Sequence, residues 1–324
     1  MKASIVVATL SLLVSASPPE RRFRQDAGWN IQAISHRHPP RKINGKYRDT
    51  GYLYNRWPED KEFYAYVLDS GIRTTHHEFG DRAKNLWTAF QDADGRYEFE
   101  DVTGHGTHVA GIIASTTYGV AEQARVLSVK VLDANDEALV SEAIAGFNAA
   151  VKHIIEHGRQ HRAVITHSGG AGWEYSAAWR TAVRGALEAP GGPILTVVSS
   201  GNDGANVDYT APACLDEVIS VGSMEMDWKI SPTSNYGCQV DILAPGDRIK
   251  SLSHTADDDL VIMSGTSAAA PHVAAVALNA MAVFGKSSGQ VSDFLRQTAT
   301  RGRVRGILRD TPNLLVNNNN PVQW

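Results

Sequence analysis

The sequence predicts an α/β domain with a central, mostly parallel sheet and helices on both faces. Short continuous apolar runs, typical of strands buried on both faces, recur along the chain. Segments with helical spacing alternate with these runs, as expected for βαβ units. The chain has 324 residues, of which 43% are hydrophobic, and no break in composition divides its globular part. We therefore predict one large domain over residues 27–316.

The predicted elements follow one another in a regular order. Strands are predicted at residues 63–68, 126–132, 163–166, 194–198, 218–221 and 240–244. Helices are predicted from residue 103 onwards and at residues 141–155, 175–187 and 294–298. A long helix is predicted from Thr266 to Phe284, and we expect it to be buried because it is apolar on all sides.

The first residues have the features of a secretory signal peptide. Lys2 supplies a positive charge, residues 3–14 form a short, mostly apolar stretch, and residues 14–16 offer small side chains for cleavage. The apolar stretch is too short to span a bilayer. We therefore expect a secreted protein that loses residues 1–16, the alternative being a buried N-terminal strand or helix.

The segments that flank the predicted domain and the overall charge give little information about binding partners. Residues 17–26, rich in proline and arginine, are expected to be a linker or short pro-segment, the alternative being a disordered mature N-terminus. Residues 317–324 are expected to be a polar tail. The net charge of -4 gives no indication of nucleic acid or of a polybasic membrane contact. Two cysteines are too few for a disulfide framework or a zinc knuckle. We expect a monomer, with neither nucleic acid nor a membrane as partner.

Ser267 occupies the first turn of the long helix. Backbone N–H groups in a first turn have no helical partner and point towards bound negative charge. Pro271 has no N–H to offer the Ser267 carbonyl four residues earlier, which loosens this turn. A serine here either caps the helix or acts as a nucleophile, and this stretch alone does not decide between the two.

Two further polar residues stand at comparable positions. Asp69 ends the first predicted strand, and His105 lies in the opening turn of the helix that follows. In an open parallel sheet such positions gather along one edge. Ser267 would attack a carbonyl, His105 would accept and return its proton, and Asp69 would hold the imidazole tautomer. Asn202, after another strand, is placed to offer its amide to an oxyanion.

Other interpretations of the His105 segment fail on detail. The segment begins like a dinucleotide fingerprint, but Val109 replaces the third glycine, and residues 98–102 are too polar for the required strand. His105 and His108 are spaced to ligate zinc, but no further ligand pattern accompanies them. We expect His108 to be a structural residue of the helix.

Four motifs together carry a family resemblance. They are YVLDSGI at residues 66–72, GHGTHVAG at 104–111, SGN at 200–202 and GTSAAAPHV at 265–273. With them the chain resembles the subtilisin-like serine peptidases, or subtilases, and most closely their proteinase K-like branch, from about Ala27 to about Leu315. The segment AGWNIQAIS, residues 27–35, is also similar to the mature N-terminus of that branch.

The resemblance implies a three-layer subtilisin-like fold and a secreted serine endopeptidase. It implies that Asp69, His105 and Ser267 are the catalytic triad, with Asn202 as the oxyanion donor; the order Asp, His, Ser is itself that of subtilisin. Ser168, Gly169 and Gly170 match one wall of the primary specificity (S1) pocket, which in this family accepts apolar and aromatic residues. A plain tight turn is the alternative for those three residues.

Asp136, Glu137 and Ala138 match the edge strand that pairs with extended substrate. The family usually has small residues and glycine here, so the two carboxylates predict a mild preference for basic side chains upstream of the cut. The alternative is a solvated acidic loop.

Structural calcium is the ion implied by the resemblance, and no catalytic metal is expected. Asp241 matches the family's calcium carboxylate, and the carbonyls of Asp216 and Val218 are plausible partners, although one inserted residue nearby leaves them open. The alternative for Asp241 is a turn acid. Cys214 and Cys238 flank the same two loops and are candidates for a disulfide, one that matches no pair known in the branch.

One departure bears on activity. Relatives carry a small inhibitory folding domain before the catalytic domain, whereas only residues 17 to about 25 precede it here. Either this chain folds without that aid or the sequence is an incomplete version. A non-catalytic, subtilase-like binding protein therefore stays open as the competing hypothesis.

Overall fold

We describe the fold from a computed structural model, in which residues 20–25, 27–39, 42–43, 46–47, 50–172 and 175–321 are described. The expected signal peptide lies outside these residues. The helices are α1 (Trp29–Ser35), α2 (His105–Ala114), α3 (Val140–Glu156), α4 (Ser176–Leu187), α5 (Thr266–Phe284) and α6 (Ser288–Thr298). Short 3₁₀ helices cover His77–Phe79 and Val207–Tyr209.

The strands are numbered in chain order. Those before α3 are β1 (Glu20–Arg24), β2 (Lys42–Ile43), β3 (Lys46–Tyr47), β4 (Tyr52–Arg56), β5 (Tyr64–Asp69), β6 (Ala83–Thr88) and β7 (Arg125–Lys130). Those after α3 are β8 (Ala163–His167), β9 (Ala171–Gly172), β10 (Leu195–Ser199), β11 (Thr210–Ala211), β12 (Ile219–Met224), β13 (Ile242–Pro245), β14 (Ile249–Leu252), β15 (Leu260–Met263), β16 (Thr300–Arg301) and β17 (Leu314–Leu315).

Nine strands form the central sheet, in the order β16-β17-β13-β12-β10-β8-β5-β7-β6. Every described neighbouring pair is parallel except β16 with β17. Because the strands run the same way, the C-terminal ends of β5 and β10 lie at one edge, where open α/β sheets bind their ligands. The predicted order of alternating strands and helices is confirmed.

The side chains of β5 show how the sheet separates two cores. Ala65 and Val67 face a core shared with α1, α2, α5 and α6, whereas Tyr64, Tyr66 and Leu68 face one shared with α3 and α4. The alternation follows from the period of two residues in a strand. Helices therefore cover both faces, which makes the predicted three-layer α/β fold.

Helix α5 runs through the first core. Its bounds agree with the prediction, and nearly all of its residues from Thr266 to Met281 are buried. By length and composition it would also suffice to cross a membrane, but 83% of its most apolar window is buried inside the protein. An all-round apolar helix of this kind is a core element.

The two ends of the described chain differ from expectation. Glu20–Arg24, within the expected linker, pairs antiparallel with β4. Arg24 donates to the carbonyls of Thr116 and Thr117 and to Glu122 at 3.0, 2.6 and 2.6 Å. Backbone pairing and the hydrogen bonds of one arginine require no apolar periodicity. The sequence pattern therefore did not indicate this strand.

The described part of the expected polar tail, residues 317–321, also belongs to the domain. Asn317, Asn318 and Asn320 are 0%, 7% and 3% exposed. Asn318 Nδ2 donates to the carbonyl of Leu53 at 2.6 Å, and Asn317 Nδ2 to that of His36 at 3.2 Å. These amides satisfy buried backbone groups, which is why polar residues occur at buried positions here.

Candidate active site

Asp69 and His105 meet at the C-terminal edge of the sheet. Asp69 ends β5 and is 1% exposed, and its Oδ1 lies 2.6 Å from Nδ1 of His105 in the first turn of α2. Because a carboxylate only accepts, Nδ1 carries the proton and Nε2 is the basic nitrogen. A Cβ on Gly106 would overlap the carbonyl oxygen of Gly71, so the helix can approach this closely only with glycine at that position.

The electrostatics of this pair favour the imidazolium. The charge of Asp69 raises the pKa of His105 to about 9, against the opposing effect of burial. Asp136 and Asp101 add smaller contributions in the same direction. The structure therefore has a histidine whose basic form is reached only at alkaline pH.

Asp101 connects the two elements that hold the pair, and sequence reasoning missed it. It is 3% exposed, and its Oδ1 accepts from Ser70 Oγ at 2.8 Å, next to Asp69. The same oxygen accepts from the N–H of Gly104 at 2.9 Å, and Oδ2 accepts from the N–H of Thr107 at 2.8 Å. Asp101 thus ties the end of β5 to the unpaired N–H groups of α2. Its position four residues before His105 was the available signal.

Ser267 is the second residue of α5, and its surroundings follow from Pro271. The proline cannot donate to the carbonyl of Ser267, and Ser168 Oγ donates to it instead at 3.3 Å. This bond joins the start of α5 to the segment after β8. Within the described chain, Ser267 Oγ itself makes no hydrogen bond to His105.

Asn202 lies beside Ser267, after β10. Its Oδ1 accepts from the N–H and hydroxyl of Thr266 at 2.8 and 3.1 Å. A Cβ placed on Gly265 would lie 3.1 Å from Ser267 Oγ and 3.3 Å from Asn202 Nδ2, so both atoms border one small space. Because Oδ1 already accepts from Thr266, the Nδ2 group of Asn202 is left to donate to negative charge that develops next to Ser267.

A cavity of about 400 Å³ opens from His105. Its walls include all six residues predicted to bind substrate: Asp136, Glu137, Ala138, Ser168, Gly169 and Gly170. Its remaining lining is mostly apolar and was not predicted: Leu132, Val140, Ala143, His167 and Trp179. The position of His167, directly before Ser168, was the only sequence signal for this part of the wall.

His167 forms an uncharged part of this wall. Its ring stacks on Trp179 with centroids 5.3 Å apart, and Nδ1 donates to the carbonyl of Leu68 at 3.2 Å. Burial lowers the pKa of His167, so the ring is neutral. The cavity therefore combines an aromatic, uncharged wall with an acidic rim at Asp136 and Glu137.

Comparisons with known proteins identify the family. The subtilase family model matches residues 60–315. The chain belongs to the subtilase family. It is 38% identical to an alkaline proteinase of Hapsidospora chrysogena, over 91% of this chain and 69% of that protein. It is 34% identical to proteinase T of Parengyodontium album, over 91% and 94%.

The solved structures agree as well. A cold-adapted subtilisin-like serine proteinase superposes with a TM-score of 0.73 at 29% identity, covering 90% of this chain and 98% of that one. This subtilase is thus a serine endopeptidase on a subtilisin-like fold, and the predicted family and fold are confirmed.

Asp136 and Glu137, which form the acidic rim of the cavity in this subtilase, lie in a turn. Asp133 Oδ1 accepts from the N–H groups of Asn135 and Glu137 at 2.8 and 3.0 Å, and Asp136 has a φ of 59°. Thr103 Oγ1 donates to Asp136 at 2.6 Å, which joins this turn to the loop before His105. Residues 136–138 have no strand structure of their own.

His108 has a structural place in the subtilase. It is 1% exposed, and its Nε2 donates to the carbonyl of Ile249 at 2.8 Å. Burial lowers its pKa to about 4. Among the described residues no group of three or more histidine, cysteine or acidic side chains could hold a metal ion.

Asp241, the carboxylate expected to bind calcium, has surroundings that do not fit that ion. Asp241 Oδ1 lies 2.5 Å from Arg296 Nη2, and Oδ2 accepts from the N–H of Ser220 at 2.9 Å. Calcium needs oxygen ligands, and a guanidinium offers none. The side chain of Asp216 is exposed, whereas Val218 is 5% exposed.

The candidate disulfide is not formed, because Cys214 and Cys238 are both free. Spacing around shared loops is a weak predictor, since a bridge also needs the two Cβ vectors to face each other.

Proposed function

We propose that this subtilase hydrolyses peptide bonds through Asp69, His105 and Ser267. The observation that carries the proposal is the 2.6 Å contact between Asp69 Oδ1 and His105 Nδ1, which fixes the tautomer a general base requires. The basic nitrogen belongs to a residue that lines the substrate-sized cavity. The support for Ser267 is its place at the start of α5 beside Asn202.

The proposed reaction is acyl transfer in two halves. Ser267 Oγ attacks the peptide carbonyl and its proton passes to His105 Nε2, while Asn202 Nδ2 donates to the oxyanion. His105 then returns the proton to the leaving amine, and the acyl group stays on Ser267. Water, deprotonated by His105, releases the acid and restores the serine. Ser267 and His105 form no hydrogen bond here. Hydrogen bonds between catalytic residues often form or shorten only when substrate is bound, so this geometry is compatible with the proposed reaction.

The substrates proposed are polypeptides with an apolar or aromatic residue before the cut. His167 is neutral and Trp179 is aromatic, so the wall offers no charge to a basic side chain there. The carboxylates of Asp136 and Glu137, on the rim of the same cavity, favour basic side chains upstream of the cut. An extended substrate would pair with the backbone of residues 136–138.

We further propose that the protein is secreted, as the features of residues 1–16 suggest. N-terminal sequencing of the protein from culture medium tests this. A mature protein found only inside cells would contradict it.

A serine-directed sulfonyl fluoride separates the enzyme from a non-catalytic binding protein. We expect one covalent adduct, located at Ser267 by peptide mapping, and none on a folded Ser267→Ala variant. Folding of both proteins is checked by circular dichroism. A folded wild-type chain that stays unlabelled and cleaves no casein would support the binding protein.

A further inference from the structure

Asp241 and Arg296 form an ion pair between two elements that are far apart in sequence. Asp241 directly precedes β13 in the central sheet, and Arg296 lies in the last turn of α6. Their side chains are 17% and 50% exposed, and the two charged atoms are 2.5 Å apart. The pair thus fastens α6 to the sheet at a partly buried point.

The carboxylate of Asp241 requires a cation in this place. Its side chain is only 17% exposed, and it accepts from the N–H of Ser220 and from the Arg296 guanidinium. The exposed Asp216 adds a further negative charge nearby. An uncompensated carboxylate in such surroundings is costly, so some positive group must accompany it.

Arg296 meets this requirement with a side chain of the protein instead of a metal ion. Each carboxylate oxygen of Asp241 already has a donor, Arg296 on Oδ1 and Ser220 on Oδ2. A cation in the last turn of a helix is also favoured by the helix dipole. The carbonyl of Arg296 in turn accepts from Arg301 Nη2 at 2.6 Å, which continues the link into β16.

We propose that the Arg296 guanidinium is the fixed cation of this site, in the place where the family resemblance implies calcium. A side chain of the protein then holds α6 against the sheet, and this region is stable without a bound ion. The inference concerns stability and is independent of the proposed catalytic residues.

Thermal unfolding of the full chain tests the proposal, with autolysis blocked by sulfonyl fluoride. Wild type and Asp241→Asn are each compared in excess EDTA and in millimolar CaCl₂. We expect calcium to change the melting temperature by the same amount in both proteins, because Asp241 binds no metal. A calcium response in the wild type that Asp241→Asn removes would overturn the proposal.

Three substitutions of arginine test the role of the cation. Arg296→Gln should raise the unfolding equilibrium constant about tenfold, between the values typical of exposed and buried pairs. Arg296→Lys should restore most of the stability. The matched control is Arg184→Gln, which removes a 2.8 Å pair with Glu217. Arg180 stays 3.6 Å from the same carboxylate oxygen, so this substitution should change little. An Arg296→Gln protein as stable as wild type would contradict the proposal, as would equal losses in Arg296→Gln and Arg184→Gln.

Discussion

Ser168 Oγ donates a 3.3 Å hydrogen bond to the carbonyl oxygen of Ser267, the acceptor that Pro271 leaves without a helical partner. A proline inside a helix thus has a defined consequence at the proposed nucleophile. The freed carbonyl joins the start of α5 to the wall of the substrate cavity. The position of Ser267 therefore depends on Ser168, which lines the substrate cavity.

Replacing Ser168 should therefore affect catalysis and not only binding. Ser168→Ala removes one neutral hydrogen bond, and we expect kcat to fall roughly fivefold. The control is Thr181→Ala, which removes a 3.0 Å hydroxyl bond to a helix carbonyl on α4, away from the cavity. Steady-state kinetics on one peptide substrate compare the two. Equal kcat values in Ser168→Ala and wild type would show that the bond is not needed.

The raised pKa of His105 predicts an alkaline enzyme. Only the neutral imidazole accepts a proton, so kcat/KM should climb as pH rises from 6.5 towards about 9. Asp69→Asn removes the largest cause of the shift. It should move the midpoint back towards 6.5 and lower the rate about 10⁴-fold, as expected for a triad that loses its acid.

The control for this profile is Asp94→Asn, an exposed acid whose side chain is 71% accessible, and it should leave the midpoint unchanged. The same raised pKa stabilises the folded state below pH 6.5, and that stabilisation is lost as pH rises through about 9. A profile already flat from pH 6.5 upwards would contradict the proposed electrostatics.

Asp101 should act as a positioning residue. Asp101→Asn keeps the size but loses the charge and one acceptor, and we expect kcat to fall about tenfold with little change in KM. The midpoint of the pH profile should also fall, because Asp101 helps to raise the pKa of His105, as do Asp69 and Asp136. His108, Lys130 and His167 also interact electrostatically with residues of this set.

A matched control for Asp101 lies beyond the other end of α2. Glu78 accepts from Ser115 Oγ and from the N–H of Thr117, both at 2.7 Å. Glu78→Gln should lower the melting temperature without moving the pH profile. If both variants lose only stability, Asp101 has no positioning role.

The acidic rim should set a mild preference for basic side chains upstream of the cut. Peptides that differ only in lysine or glutamine at those positions measure it. Asp136→Asn combined with Glu137→Gln should reduce the lysine preference about threefold, as expected for exposed charges. Glu156→Gln, an exposed acid on α3, serves as the control. Equal cleavage of both peptides by the wild type would end the idea.

The sequence was most informative where chemistry follows from local pattern. Asp69 ends a continuous apolar run and His105 opens a helix, so their meeting at one sheet edge was predictable from topology. Asp101 was not, because it lies in a polar loop without periodicity and acts through contacts with separate segments. Its role exists only in the folded chain.

The calcium prediction shows a different limit. Asp241 was matched by position alone, whereas its surroundings include a guanidinium from 55 residues later in the chain. The asparagines at the end of the domain were predicted to be a tail because polarity usually indicates exposure. They are buried because of the hydrogen bonds that their side chains form, and a pattern of hydrophobicity does not reveal such bonds.

Strand β4 is held from both directions, since Phe23 of β1 pairs with Leu53 and Asn318 donates to the carbonyl of that same residue. A peptidase is exposed to its own activity, and loose chain ends are the first segments to enter a neighbour's cleft. Because β1 and Asn318 are both fastened to β4 at Leu53, we expect these early and late segments to resist self-digestion.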